Sequence, residues 1–206
     1  MMLSFRIAAV ALIAMSVFAG CAAPAEEDEP VSETGAAFSA SSPITLQNFA
    51  THPKIVEIQK IVDDFENHSE RYTVQTRDAD LCGSRIGDTY RRTYSDGKIV
   101  RRLVLATATN DAGETYSTVT QRVLTYDAQG RVRTALTQVD KESGTTQFRT
   151  YFGTDGTRLI DLQRRQSGGN ASHPEYAPYT LASTPATYGN ELTAPAAAFA
   201  AAPKCP

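Results

Sequence analysis

Apolar side chains recur at three- and four-residue steps in one part of this chain and at every second position in another. Ile55, Ile58, Val62 and Phe65 form a single stripe at helical spacing, and Ile61 widens it. Glu57, Lys60, Asp63 and Asp64 fill the remaining positions, so the pattern predicts an amphipathic helix over Ile44–Asn67. Thr51 can cap it, Pro53 is tolerated in a first turn, and Asn67-His68-Ser69 marks its end.

From Arg71 to Arg165 the period drops to two. Turn signals punctuate the run at Ser95-Asp96-Gly97, Asn110–Gly113, Asp127–Gly130, Lys141–Gly144 and Thr154-Asp155-Gly156. Between them lie Thr89–Tyr94, Lys98–Thr107, Glu114–Tyr126, Arg131–Val139, Thr145–Phe152 and Arg158–Arg164, all rich in Thr, Val, Tyr and Arg. Such short connections force antiparallel neighbours, which predicts a meander of about six strands. Strands of this length twist, so the sheet is expected to curve and take the helix on a concave face, or to close partly into a barrel. After Gln166, Pro and Ala dominate and periodicity is lost, which predicts an irregular tail with a short helix at most in Ala194–Ala202. The expected class is α+β, mainly β: an N-terminal amphipathic helix packed on a curved antiparallel meander, with an irregular C-terminal tail.

The start of the chain is of another kind. Arg6 precedes Ile7–Phe18, an apolar run interrupted only by Ser16 and too short for the ~20 residues that span a bilayer. A basic start, a short apolar run and small residues after it predict a secretory signal peptide. Within it, Phe18-Ala19-Gly20-Cys21 resembles the lipobox of bacterial lipoproteins, which usually reads Leu, small, small, Cys. The departure is Phe18 in place of Leu. The resemblance implies that Cys21 is lipidated and becomes the mature N-terminus, anchored by several acyl chains. Ala22 stands where that family carries Asp for inner-membrane retention, so the resemblance implies the outer membrane. The plainer reading is an ordinary signal peptide cleaved after Ala19 or Ala25.

The chain holds three cysteines, an odd number for an exported protein. Lipidation of Cys21 leaves Cys82 and Cys205, which outside the cytoplasm can form a disulfide closing a long loop, worth about 4–5 kcal/mol in the chain-entropy model. Two free thiols are the alternative. The organisation expected is therefore a leader over residues 1–20, an acidic, disordered tether over 21–43, a helix-plus-sheet domain over 44–165 and a Pro/Ala-rich tail over 166–206.

Tyr126-Asp127-Ala128-Gln129-Gly130-Arg131 resembles the hairpin unit of the YD-repeat (Rhs) proteins, with weaker echoes at Tyr94–Ile99 and Tyr151–Gly156. Only one good copy is present and the spacings are unequal. The reading is therefore shared hairpin chemistry: an aromatic before the turn, Asp and Gly in it, and a long cation after.

Charge divides the chain. Residues 71–165 carry sixteen Lys or Arg against eleven Asp or Glu, whereas the remainder carries four against twelve. Arg91, Arg101, Arg131, Arg133 and Arg149 can line one sheet face and bind an acidic polymer or lipid headgroups. The competing reading is a solvated face with cross-strand Arg–Asp and Arg–Thr pairs, because adjacent residues of a strand point to opposite faces. His52, His68 and His173 lack metal-ligand spacing, and no nucleophile elbow or Gly-rich phosphate loop occurs. No catalytic residue, cofactor or metal is expected, and an exported, mildly acidic chain is not expected to bind nucleic acid. The leading expectation is a non-catalytic envelope lipoprotein, held to the membrane by its lipid anchor, that binds a ligand such as an acyl chain in or on a curved sheet. The alternative is a protein-binding or inhibitory module that uses a strand edge or the arginine face, with an envelope protein as partner. A hydrolase is third.

Overall fold

A computed structural model describes residues 39–78, 90–110, 117–141, 144–167 and 176–201. The leader, nearly all of the tether, Cys21, Cys82, Cys205 and His173 lie outside them. The described residues all belong to one compact unit, Ala37–Pro206.

Eight strands pair in sequence order into one antiparallel sheet: β1 (Thr73–Asp78), β2 (Tyr90–Asp96), β3 (Ile99–Asn110), β4 (Ser117–Tyr126), β5 (Val132–Lys141), β6 (Gly144–Phe152), β7 (Arg158–Ser167) and β8 (Thr180–Leu181). The expected six strands become eight. The extra ones are β1, a polar run that no apolar alternation marks, and β8, two residues long, which pairs with Leu162 and Gln163 of β7. β1 and β8 are not paired with each other, so the sheet is open rather than closed into a barrel.

Three hairpins at one end of the sheet share a design. Gly97, Gly130 and Gly156 have φ of 75°, 76° and 81°, the left-handed region that disfavours any residue with a Cβ. Just beyond each turn the register slips, leaving Arg101, Arg133 and Leu159 as extra residues in β3, β5 and β7. These are bulges, which raise local twist and re-aim a side chain.

The two faces are covered by different segments. Helix α1 (Pro53–Asn67) crosses the back face and buries Ile55 and Ile58 against Tyr151, Ile160 and Leu162. Phe65, near its end, stacks on Tyr72 and meets Tyr94 edge-on. The helix is shorter than the Ile44–Asn67 expected and its cap is His52, not Thr51. The His52 Nδ1 accepts from the Lys54 N–H at 3.2 Å, which leaves Nε2 as the donor to the Ser42 carbonyl at 3.0 Å. Ile44, just before a turn, and Leu46 and Phe49 within it also pack on the back face.

The front face buries Leu103, Leu124, Tyr126, Ala135 and Phe152, one from each of β3 and β5, one from β6 and two from β4. Its cover is the C-terminal segment. Much of that segment is irregular, as expected, and its helix α2 (Pro195–Ala200) falls within the Ala194–Ala202 expected; it also holds β8 and a 3-10 turn at Asn190–Leu192 that the sequence does not mark, with Tyr188, Leu192, Ala198 and Phe199 on the apolar cluster.

Leu124 is wholly buried at the centre of this cluster. Leu124→Ala should lower unfolding free energy by about 2–5 kcal/mol, the usual cost of a core cavity, measured by urea denaturation of the full protein.

Candidate functional site

The five arginines marked out by the sequence do not share a face. Arg91 lies on the front and donates to the Ala198 carbonyl at 3.5 Å. Burial, with Arg77 beside it, pushes its pKa below the usual guanidinium value. Arg149 lies on the back, where its Nη1 meets the Tyr151 hydroxyl at 3.5 Å. Arg101, Arg131 and Arg133 gather instead around the turn after Tyr126, two of them as bulge residues.

That turn is densely bonded. The buried Asp127 carboxylate accepts from the backbone N–H groups of Gln129 and Arg131 at 2.9 and 3.0 Å and from the Arg131 Nε at 2.8 Å. Burial alone would raise its pKa, but these bonds and the Arg131 charge outweigh that and hold it below the usual carboxylate range. Arg133, also buried, lies 3.7 Å from the same carboxylate, donates to Glu57 of α1 through both terminal nitrogens at 3.1 Å, and reaches the Phe152 carbonyl. Arg101 donates to the Tyr126 carbonyl and to Asp96. On the front, the Tyr126 hydroxyl donates to the Glu191 carbonyl, while the Glu191 carboxylate pairs with Arg122 at 3.0 Å. Burial, with Glu191 near, pushes the Tyr126 phenol well above its ordinary pKa. Every charge here has a structural partner, so the turn fastens the sheet to both covers.

The open surface lies at the other end of the sheet. There the front face presents two cross-strand rows, the first adjoining the cover, where Leu105 packs on the apolar cluster, Arg122 pairs with Glu191 and Thr137 is buried. One runs Leu105, Arg122, Thr137, Phe148, Gln163, and the next runs Thr107, Thr120, Val139, Thr146, Arg165. Two grooves lie along them. One of about 310 Å³ is lined by Leu105, Thr107, Thr120 and Arg122. The other, of about 400 Å³, includes Val139, Lys141, Thr146, Phe148 and Arg165. Both fall within the ~300–1,000 Å³ of small-molecule sites. The walls are apolar and hydroxyl-bearing, and the cations sit at the margins. On the back, a cavity of about 80 Å³ lies between Gln59, Val62 and Glu66 of α1 and the strands, and another of about 230 Å³ lies by Lys54 and Glu57 beside the β6–β7 turn.

His52 is a buried helix cap and His68 pairs with Glu70 at 3.7 Å. Among the described residues no group of three or more His, Cys, Asp or Glu side chains is placed to hold a metal, and no helix is long and apolar enough to cross a membrane. Leu105, Val139, Phe148 and Arg165 carry no motif. Strand alternation puts each on a face, but only the register brings them together. Compared with protein-family models, curated proteins and solved structures, the chain finds no match.

Asp127 should contribute stability in a pH-dependent way. Its folded pKa lies below its unfolded value, so the contribution is complete above the unfolded value and lost as pH falls through the folded one. Asp127→Asn should cost about 2–3 kcal/mol at pH 7, in line with hydrogen bonds to charged groups. In urea titrations at pH 7 and pH 3, the gap between wild type and variant should narrow at the lower pH.

Proposed function

We propose that this is a lipid-anchored, non-catalytic binding protein of the bacterial envelope, and that it holds an amphiphilic ligand on the open half of the front face. The observation that carries this reading is the pair of grooves over Leu105, Val139 and Phe148, with Lys141 and Arg165 at the margin as cations for a headgroup. Apolar floor and cationic margin suit an acyl chain with an anionic headgroup. In this reading the twist of the long strands curves the sheet, and the ligand lies along that curve. The 80 Å³ space under α1 is too small for an acyl chain, so the ligand lies on the sheet rather than inside the fold.

A second reading rests on the opposite edge. Thr73 to Arg77 of β1 are all exposed, and Val74 is 48% exposed, so the outer side of this strand can add a strand from a protein partner. The lipid anchor at Cys21 and the acidic tether belong to both readings, and Cys82 with Cys205 provides a disulfide outside the cytoplasm.

Two measurements test these proposals. Mass spectrometry of the mature N-terminus should find an acylated Cys21, whereas an unmodified terminus after Ala19 or Ala25 would remove the anchor. The delipidated protein should bind a fluorescent fatty acid saturably, and Phe148→Glu should weaken this at least tenfold while leaving the far-UV spectrum unchanged. Absence of binding by wild type, or equal binding by the variant, defeats the ligand reading. Capture of one envelope protein, lost when Val74 is changed to Pro, favours the strand-edge reading in its place.

A further inference from the structure

The cavity between α1 and the back face has a lining that its structural role does not account for. Its floor is a patch of four strands in register: Arg102, Thr125, Thr134 and Tyr151 in one row, Val123, Leu136 and Arg149 in the next. Gln59, Val62 and Glu66 of α1 form its roof, at spacings that put them on one side of the helix. Arg102 and Arg149 therefore enter the same space from β3 and β6, three strand spacings or about 14 Å apart at the backbone.

Donors exceed acceptors in this space. Arg102 is only 8% exposed, and its Nε is buried with no hydrogen-bond partner. Its Nη1 is taken by Glu66 at 2.6 Å, and its guanidinium rests 3.9 Å from the centre of the Phe65 ring, so the group is held rigidly. The Tyr151 hydroxyl accepts from both Gln59 and Arg149, which leaves its own proton free for a third group. Glu66 is the one carboxylate lining the cavity, 59% exposed at the rim, against two guanidiniums. A buried donor without an acceptor is costly, and so is a buried cation without a counter-charge. An anion supplies both missing partners.

We infer that the space under α1 is a binding site for a small oxoanion, a carboxylate or phosphate, held between Arg102 and Arg149 and by the hydroxyl of Tyr151. The volume sets the size class. About 80 Å³ is roughly five times the ~15 Å³ that one water requires, which accommodates an ion such as acetate or inorganic phosphate and excludes a nucleotide or an acyl chain. Guanidinium groups suit this ligand because their planar forks match carboxylate and phosphate oxygens. The buried hydroxyls of Thr125 and Thr134 lie on the floor between the two cations. This site is on the opposite face from the grooves, so it stands whether or not the front face binds an amphiphile.

Isothermal titration of the full protein with inorganic phosphate and with acetate, against chloride at equal ionic strength, tests the inference. Saturable binding of either oxoanion at one site is expected, with a rise in melting temperature that chloride does not produce. Arg149→Gln should weaken binding at least tenfold, and Arg149→Lys less so, because the charge remains but the fork is lost. If Arg149→Gln does not fold, Thr134→Val provides the same comparison from the floor of the site. Heat from neither anion would mean that the cavity holds only water and would overturn the inference. Binding that survives both substitutions would place the anion elsewhere, with the same result.

Discussion

The fold depends on one buried carboxylate. Asp127 closes the β4–β5 turn through two backbone N–H groups and anchors Arg131, with Arg133 beside it. Arg133 then reaches Glu57 on α1, and the neighbouring Tyr126 reaches Glu191 in the C-terminal segment. The back cover, the sheet and the front cover meet within eight residues of chain. A hairpin alone is marginally stable in water. This one is held by what it holds.

Both covers concentrate at the hairpin end, which leaves the far ends of the long strands with fewer neighbours. β3 to β7 extend from the clamped end past the reach of α2, and there, among the described residues, no helix lies above the Thr, Val, Phe and Arg of the front face. The architecture separates a stabilised half from a half available for contact. A binding surface placed on strands has its geometry fixed by the ladder itself, so it does not depend on a loop for its shape.

Much of the sheet is legible in the sequence because it is punctuated. Asp-Gly and Gly turns fix where β2 to β7 start and stop, and their alternation fixes the pairing order. β1 escapes because Thr73-Val74-Gln75-Thr76-Arg77-Asp78 is mostly polar on both sides, as an exposed edge strand can afford to be. The C-terminal cover escapes for a different reason. Tyr188, Leu192, Ala198 and Phe199 have no common period, since their positions answer to the sheet beneath them and not to a regular element of their own. The arginines mislead through the bulges. Arg101 and Arg133 are the additional residues at their register slips, so counting by twos along the strand assigns them to the wrong neighbours. The back cavity is invisible to any linear reading, because Arg102 and Arg149 meet only across four strands.

The front cover also sets the order in which the molecule can be completed. Among the described residues, the cover of Leu103, Leu124 and Phe152 on that side (Tyr188, Leu192, Ala198 and Phe199) is made after the eight strands, and Arg91 waits for a carbonyl 107 residues downstream. A chain emerging from the ribosome therefore carries this apolar face without the cover of Tyr188, Leu192, Ala198 and Phe199 until those residues are made.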